Sequence, residues 1–554
     1  MRYSLLSVVV LFFFGACSGP KLLKKYPHLR DLSTDSLSCH VDADTLRTVG
    51  EDYLVRNTAG NWELYVSGEP WSIGLKKGLL SGDLFTYQHD VFVNKLLEDV
   101  PSVSKRRWIM RFMRWYNRHL EDYIPEEYLT EIYALSTSLR DVSDGLGVNG
   151  YQRTLWMHGA HDLGHVLQDL AIVGCSSFAV WGDKSADGKL LIARNLDFYF
   201  NDAFAENKMV YFVRPESGIP FMSVSWAGMV GVLSGMNQEG LTVTMNAGKS
   251  SIPLSAKTPI SIVAREMLQY ASNLDEAIAI AKRMPVFVSE SLMVGSAKDN
   301  KAMLIELSPR KIDFYEVDNN ALVCTNHFQS VSYVDDKRNQ KHIAESHSLY
   351  RYERLNELLS QNQHVAVTDA VNILRNRHGH GDSTLGMGND KSLNHLLAHH
   401  SIVFQPVDKR VYVSSGAGQM GSFTAYDLDE VFGGDWREHR SFGIDSLAIP
   451  ADSFLQTEQY ANFQAFKQRT EILWEQLQEG EQYVTKEELQ HYVELNPDLW
   501  LGYYVAGRFF YLQQDYGEAL RSFERALSKV IPTADMKLDI EKYRNRAEKK
   551  WKKR

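Results

Sequence analysis

At Gly174 the sequence changes its pattern, and that change limits the fold more than any other feature. After it, "CSSFAVWGD", "LLIARNLDF", "KMVYFVRPE", "FMSVSWAG" and "GVLSGMNQEGLTVTMNAG" alternate apolar and polar residues between Gly and Asn or Asp turns. Period-two alternation broken by such turns predicts antiparallel strands and hairpins. "TPISIVAREMLQYASNLDEAIAIAKRM" then reads as a helix pair, and strands resume in "SLMVGSAKDNKAMLIELSP", "KIDFYEVDNNALVCTNHF" and "SIVFQPVDKRVYVSSG". Runs of strands interrupted by paired helices predict an α+β layered domain.

Upstream of Gly174 the texture differs. Residues 18 to about 60 are polar and mixed, which reads as a tether and a loosely packed start. In "VSGEPWSIGLKKGLLSG" the inner glycines predict a turn leading into a helix. From His89 to about Leu139 apolar residues recur at spacings of three and four, with Pro125 at a helix break. "MHGAHDLGHVLQDL" predicts another helical piece. Beyond about 451 the chain is again helical and polar. There Gly507, Phe510, Ala519, Phe523, Ala526 and Pro532 fall near the positions of one tetratricopeptide-like unit, where small residues let two helices pack closely. A lone unit cannot bury its own apolar face, so it has to dock on the domain before it or on the helices beside it. The expected division is 1–17 as a signal segment, 18–174 as a helical region, 175–450 as the layered domain and 451–554 as a helical extension.

With 554 residues, 44% of them hydrophobic, the chain can bury a large core. A formal net charge of −9, with no long basic run before the closing "AEKKWKKR", excludes a nucleic-acid surface. At the N-terminus Arg2 precedes a short apolar run from Leu5 to Phe14, then Gly15, Ala16 and Cys17. This is the pattern of an export signal too short to span a bilayer. Small residues ending in a cysteine resemble a bacterial lipobox, so Cys17 is expected to become the lipidated first residue of an exported chain held at a bacterial envelope membrane, the outer membrane by expectation. The lipid would be the only anchor. Export permits disulfides, but Cys39, Cys175 and Cys324 cannot all pair with one another.

Cys175 stands directly after a glycine, with no base beside it in sequence. If its sulfur attacks the Gly174 carbonyl, the peptide becomes a thioester. Water hydrolyses it, and Cys175 is left with a free α-amino group. That amine has an ordinary pKa of about 7.7–8.0, suited to a general base near neutral pH. Nucleophile and base then share one residue. Gly174, lacking a side chain, lets the strained turn before cleavage form.

"GCSSFAVWGDKSADGKLLIARNLDF" resembles the start of the mature enzyme in the acyl-coenzyme A:6-aminopenicillanic acid acyltransferase family. Those proteins are cysteine N-terminal nucleophile (Ntn) hydrolases, related to the choloylglycine hydrolases, penicillin V acylases and acid ceramidases. "SGEPWSIGLKKG" is similar to the glycine-patterned opening of that family's pro-region, and the resemblance spans about 60 to 430. It implies a four-layer αββα sandwich behind a helical pro-region, with the small all-α extension added here. It also implies self-cleavage between Gly174 and Cys175. Cys175 would be the nucleophile, and Arg194 the fixed cation that favours its thiolate. Asp197 would accept from the Cys175 amine and orient it, Asn246 would donate to the oxyanion, and Asn326 would line the site. In a strand, positions 194 and 197 point to opposite faces. Both are therefore expected to reach one site only where the strand ends or bulges at Asn195–Leu196. Choloylglycine hydrolases carry a further arginine late in the domain. "HGHGDSTLGMGNDKSLNHLLAHHSIVF" offers no counterpart, which argues against bile-salt specificity.

His158, His161, His165 and Asp169 fall on one helical face at spacings that could hold zinc. No Glu completes a His-Glu-x-x-His pattern, so no metal is expected there. A helix covering the mouth of the site is the preferred reading. His378, His380, His395, His399 and His400 read as loop and helix polar residues, one of them near the substrate. The expected activity is hydrolysis of a linear amide, such as an N-acylated amino acid, peptide or lipid amide, through an acyl thioester on Cys175. Acyl transfer is a variant of the same chemistry, and no cofactor is required. Two other readings stay open: a binding lipoprotein that presents its C-terminal helices to a partner, and metal-dependent hydrolysis through the histidines at 158, 161 and 165.

Overall fold

A computed structural model describes residues 37–43, 46–139, 148–159, 173–198, 201–251, 255–397, 399–434, 441–480 and 484–553. Cys17 and the whole expected signal segment lie outside the described residues, as do His161, His165 and Asp169.

Seventeen strands among the described residues form two sheets. Before Gly174 lie β1 (His40–Ala43), β2 (Leu46–Val49), β3 (Asp52–Arg56) and β4 (Trp62–Gly68). After it come β5 (Val173–Val180), β6 (Leu191–Phe198), β7 (Lys208–Pro215), β8 (Phe221–Trp226), β9 (Ser234–Asn237) and β10 (Leu241–Ala247). The set is completed by β11 (Glu290–Ser296), β12 (Lys301–Leu307), β13 (Ile312–Tyr315), β14 (Ala321–Cys324), β15 (His400–Gln405), β16 (Arg410–Ser414) and β17 (Phe423–Asp427). The larger sheet runs β1-β2-β3-β4-β7-β8-β9-β10-β11-β12-β13, and the smaller β14-β5-β6-β15-β16-β17.

The sheets pack face to face. Val210, Phe212, Met222, Val224, Met293 and Leu304 of the larger meet Ala179, Ile192, Ile402, Phe404, Val411 and Val413 of the smaller. The outer face of the smaller sheet is covered by the helices Ser348–Gln361 and Val367–Leu374 through Leu355, Leu359, Val371 and Leu374. The outer face of the larger sheet is covered by Pro70–Asp99, Glu126–Ser136, Ile260–Tyr270 and Leu274–Arg283. This is the four-layer αββα sandwich, and the helix pair expected near 258–284 forms its outer layer.

The region before Gly174 is not simply helical, and the expected loose start to about residue 60 is corrected. Residues 40–68 contribute four strands, and β4 pairs in parallel with β7 from Trp62↔Met209 to Gly68↔Pro215. Tyr53, Leu54, Leu64 and Val66 are fully buried. The strands are short and carry many polar residues, so their alternation is weak in sequence. Asn57 closes the β3–β4 turn, its side chain accepting from Asn61 N at 3.0 Å while Gly60 takes φ +93°.

The glycines of "SGEPWSIGLKKG" serve a helix crossing. A Cβ on Gly74 would lie 2.2 Å from Glu131 O, and one on Gly78 would lie 2.8 Å from Ser138 Cβ. That close approach carries a buried ion triad. Lys77 Nζ meets Glu131 Oε1 at 2.6 Å, and Arg265 Nη2 meets Glu131 Oε2 at 3.2 Å. The region before Gly174 is thus joined to the region after it by a strand ladder and by buried charge.

The extension is all helical: Glu458–Glu479, Lys486–Glu494, Trp500–Leu512, Tyr516–Leu527 and Ala534–Trp551. A Cβ on Gly507 would lie 2.7 Å from Phe523 Cε1, which is why a small residue is needed where two of these helices touch. Leu396, Met420, Phe454 and Phe463 form an apolar joint between the extension and the sandwich. No helix among the described residues is long and apolar enough to cross a membrane.

Candidate active site

The register of β5 on β6 decides what surrounds Cys175. Gly174 lies opposite Asp197, Cys175 opposite Leu196, and Ser177 opposite Arg194. Residues opposite one another in an antiparallel pair share a face. Cys175, Ser177 and Arg194 therefore look into the space between the sheets. Gly174, Ser176, Asn195 and Asp197 look toward the helix layer. The register runs unbroken from Val173↔Phe198 to Val180↔Leu191, so the expected bulge at Asn195–Leu196 is absent. It is not needed, because Arg194 and Asp197 address the same strand end from its two faces.

On the inner face Arg194 Nη2 donates to Cys175 Sγ at 3.6 Å. The guanidinium is fully buried. Its other contacts are neutral acceptors: Leu233 O at 2.9 Å, Ser234 Oγ and Met245 O. Among the described residues no carboxylate is bonded to it, and its Nη2 is directed at the sulfur. Burial raises the Cys175 thiol above its ordinary pKa; Arg194 pulls it down, while Asp197 and Glu290 push it up. The site thus keeps a neutral thiol in this state and holds a cation where a thiolate would develop.

On the outer face Asp197 is buried, and burial raises its carboxyl to about 8 against the lowering effect of Arg351 and Arg194. Gln419 Nε2 donates to its Oδ1 at 3.4 Å, and His395 Nδ1 lies 3.7 Å from its Oδ2. Near neutral pH Asp197 is therefore a proton donor beside the Gly174–Cys175 bond. Position 174 admits no side chain: a Cβ would meet His395 Cε1 at 2.7 Å and Asp197 Cβ at 3.5 Å. His395, buried and lowered to about 3, lies on this outer face, while on the inner face His400 Nε2 lies 2.8 Å from Ser234 Oγ, a partner of Arg194.

Asn326 lines the site, while Asn246 makes bonds other than the oxyanion contact expected of it. Asn326 Oδ1 accepts the Cys175 backbone N–H at 3.0 Å, while its Nδ2 donates to Ala247 O at 3.1 Å. It holds the nitrogen that chain opening would free. Asn246 Oδ1 accepts from Ser177 Oγ at 2.9 Å, and its Nδ2 donates to Cys324 O and Thr325 O, both at 3.2 Å. Asn326 adjoins Cys175 and Asn246 adjoins Ser177, but in this conformation their N–H groups are engaged by backbone carbonyls. An oxyanion role for Asn246 requires it to release those carbonyls.

Arg351 belongs to the site and was not found in the sequence. It is fully buried on the helix Ser348–Gln361. Its Nη1 donates to Cys175 O at 2.5 Å and to Ser176 Oγ at 2.8 Å, and its Nη2 donates to Asn326 Oδ1 at 2.5 Å. In "SLYRYERLNELLSQ" it reads as part of a solvated helix face, and it lies upstream of the His- and Gly-rich stretch where a further arginine was sought.

The zinc reading loses its first ligand. His158 Nε2 accepts from Val230 N at 2.8 Å and its Nδ1 donates to Thr154 O at 2.8 Å. Both ring nitrogens are satisfied inside the core, and burial lowers the ring to about 4. Cys39, Cys175 and Cys324 are all free thiols.

A family model described as acyl-coenzyme A:6-aminopenicillanic acid acyl-transferase matches residues 184–419. That span holds Arg194, Asp197, Asn246, Asn326 and Arg351 and begins after Cys175. An uncharacterized protein of Archaeoglobus fulgidus is 24% identical over 396 residues, which are 65% of this chain and 61% of that protein. Protein dcd1B of Dictyostelium discoideum is 26% identical over 191 residues, 34% of this chain and 35% of its own length. The chain thus spans less than two thirds of either relative. Among solved structures, a Caenorhabditis elegans ortholog of N-acylethanolamine-hydrolyzing acid amidase aligns with a TM-score of 0.32 and 19% identity, over 42% of this chain and 93% of that one. A mutant conjugated bile acid hydrolase from Clostridium perfringens aligns with a TM-score of 0.32 and 12% identity, over 46% and 93%. The resemblance read from the sequence is thus shown over residues 184–419, where this chain is similar to the acyl-coenzyme A:6-aminopenicillanic acid acyl-transferase family.

Proposed function

We propose that the chain opens itself between Gly174 and Cys175 and then hydrolyses linear amides with the exposed cysteine. The observation that carries this reading is the pairing of Cys175 Sγ with Arg194, 3.6 Å apart, at a strand end whose other face holds Gly174 and Asp197. In the opening step the sulfur bonds to the Gly174 carbonyl carbon and the C–N bond breaks. The departing Cys175 nitrogen takes a proton from the neutral carboxyl of Asp197, which recovers one from the Cys175 thiol, so the net transfer is from sulfur to nitrogen. Water then cleaves the thioester, leaving a carboxylate on Gly174 and a free amine on Cys175. Asn326 and Arg351 hold that nitrogen and its residue's carbonyl in place.

In turnover the freed amine takes the thiol proton, and the thiolate beside Arg194 attacks the substrate carbonyl. The amine product leaves with a proton, and water releases the acid. An acyl acceptor other than water would make the same thioester a transfer intermediate. An N-acylated amino acid, peptide or lipid amide suits this chemistry. Export and lipid attachment at Cys17 belong to the same proposal and rest on the sequence pattern alone. A screen of N-acyl amides against the purified chain, with Cys175→Ala as control, tests the reading. Acid release by the first and none by the second is expected; equal activity in both would refute it.

A further inference from the structure

The loop that delivers His395 to the site is fastened from outside by the C-terminal extension. Asn496, buried at the end of the helix Lys486–Glu494, bonds the Met387 backbone twice: its Oδ1 accepts Met387 N–H at 3.1 Å and its Nδ2 donates to Met387 O at 2.8 Å. Gly386, at φ +83°, has no room for a Cβ, which would lie 2.4 Å from Leu499 N. A Cβ on Gly388, at φ +79°, would lie 2.9 Å from Phe463 Cε2. Asn389 is fully buried and its Nδ2 donates to Val530 O at 2.9 Å. Four separate points of the extension thus fix four consecutive residues of one loop, 386 to 389. Both glycines adopt a backbone that other residues rarely take, in the place where another chain segment presses closest.

The inner side of the same loop faces the reacting bond. Leu393 O accepts from Asn195 Nδ2 at 2.9 Å, and His395 sits on Gly174 and beside Asp197. Asn394 Nδ2 donates to Gly418 O at 3.1 Å, next to Gln419, which itself donates to Asp197. Met420 and Leu396 pack with Phe454 and Phe463.

We propose that the C-terminal extension is a working part of the active site, with Asn496 a positioning residue that holds loop 385–396 so that His395 and Gln419 seat Asp197 against the Gly174–Cys175 bond. This rests on the proposed function and adds a role for a unit expected only to dock on the domain before it or on the helices beside it. Group positioning within about 1 Å can change a rate on the order of 10²-fold, so a loop tethered by one buried amide is a sensitive lever. The charged and titratable groups around Asp197 are Arg194 on β6, Arg351 on the helix Ser348–Gln361, and Asp390 and His395 on the loop itself, with His347 stacked edge-on to His395 at 5.8 Å. Loosening the loop admits water to this cluster and lowers the Asp197 carboxyl toward its ordinary range.

The test uses the full chain with Asn496→Ala, His395→Gln and, as a surface control in the same extension, Lys486→Ala. Hydrogen exchange is read in peptides covering 385–396, 173–180 and 500–527, beside the pH profile of chain opening and amide hydrolysis. For Asn496→Ala, exchange should rise about ten-fold or more in 385–396 and 173–180 while 500–527 stays protected. The alkaline limb of the pH profile should move to lower pH in both Asn496→Ala and His395→Gln, and Lys486→Ala should match the wild type. Faster exchange confined to the extension, or an unmoved pH profile in His395→Gln, would overturn the proposal. Should Asn496→Ala not fold, His395→Gln still decides by its own profile. A wild-type chain with neither opening nor hydrolysis would refute the functional reading, and the exchange measurement would then judge the loop tether alone.

Discussion

Asn326 Oδ1 accepts the Cys175 N–H at 3.0 Å, so the atom that would become a terminal amine is held before the chain opens. The same oxygen takes a bond from Arg351, which also grips Cys175 O. One amide oxygen therefore couples the reacting residue to a buried cation. Asn326→Ala leaves both the Cys175 N–H and one guanidinium N–H without an acceptor. Losing bonds to a charged group should cost about 1.5–3 kcal/mol, seen as a lower denaturation midpoint. The half-time of fragment appearance on denaturing gels should lengthen along with it.

Gly174→Ala places a methyl 2.7 Å from His395 Cε1. Either the ring or β5 must shift, and overpacking of this kind costs about 1–3 kcal/mol. The variant should accumulate as uncut chain, with slower opening by gel densitometry.

The proton on Asp197 gives a pH signature. In the unfolded chain an aspartate titrates near ~4; folded, Asp197 titrates at about 8. The folded state thus binds the extra proton between these values. Its contribution to stability is complete below the lower value and is lost as pH rises through about 8. In the uncut Cys175→Ala background, the urea midpoint measured relative to an added Asp197→Asn variant should fall from about pH 5 to about pH 9, the buried histidines contributing equally to both. A difference that stays constant with pH would place the proton elsewhere.

Much of this site is legible in the sequence because its chemistry is packed into one hairpin. Cys175, Arg194 and Asp197 lie on β5 and β6, and the resemblance of that one hairpin to the family's opening segment is what singled them out. The face each takes also follows from strand parity, but not the consequence that the site is built from both faces. Arg351 escaped because a buried arginine on an amphipathic helix has the same spacing as a solvated one; only the fold reveals what covers it. Which end of each asparagine amide does the bonding depends on neighbours such as Arg351 and Ala247, distant in sequence. The strands at 40–68 lack a clean period-two signal because they are short and β3 and β4 are buried on both faces, and that burial depends on β7 across a long gap.

The strand ladder and ion triad that join the two sides of position 174 predict what happens after opening. The fragments should co-elute on native size-exclusion chromatography and separate in denaturant. Glu131→Gln leaves Lys77 and Arg265 buried without their shared counter-ion, which should cost about 3–5 kcal/mol. That variant should shed the N-terminal fragment at a lower urea concentration than the wild type.

The central claim is that a backbone break creates the catalytic residue, and intact-mass measurement of the active protein tests it most directly. The account predicts two masses that meet between Gly174 and Cys175, with an unblocked cysteine at the start of the larger fragment and one undivided mass for Cys175→Ala. Active wild-type material recovered as one undivided chain across that junction would contradict it.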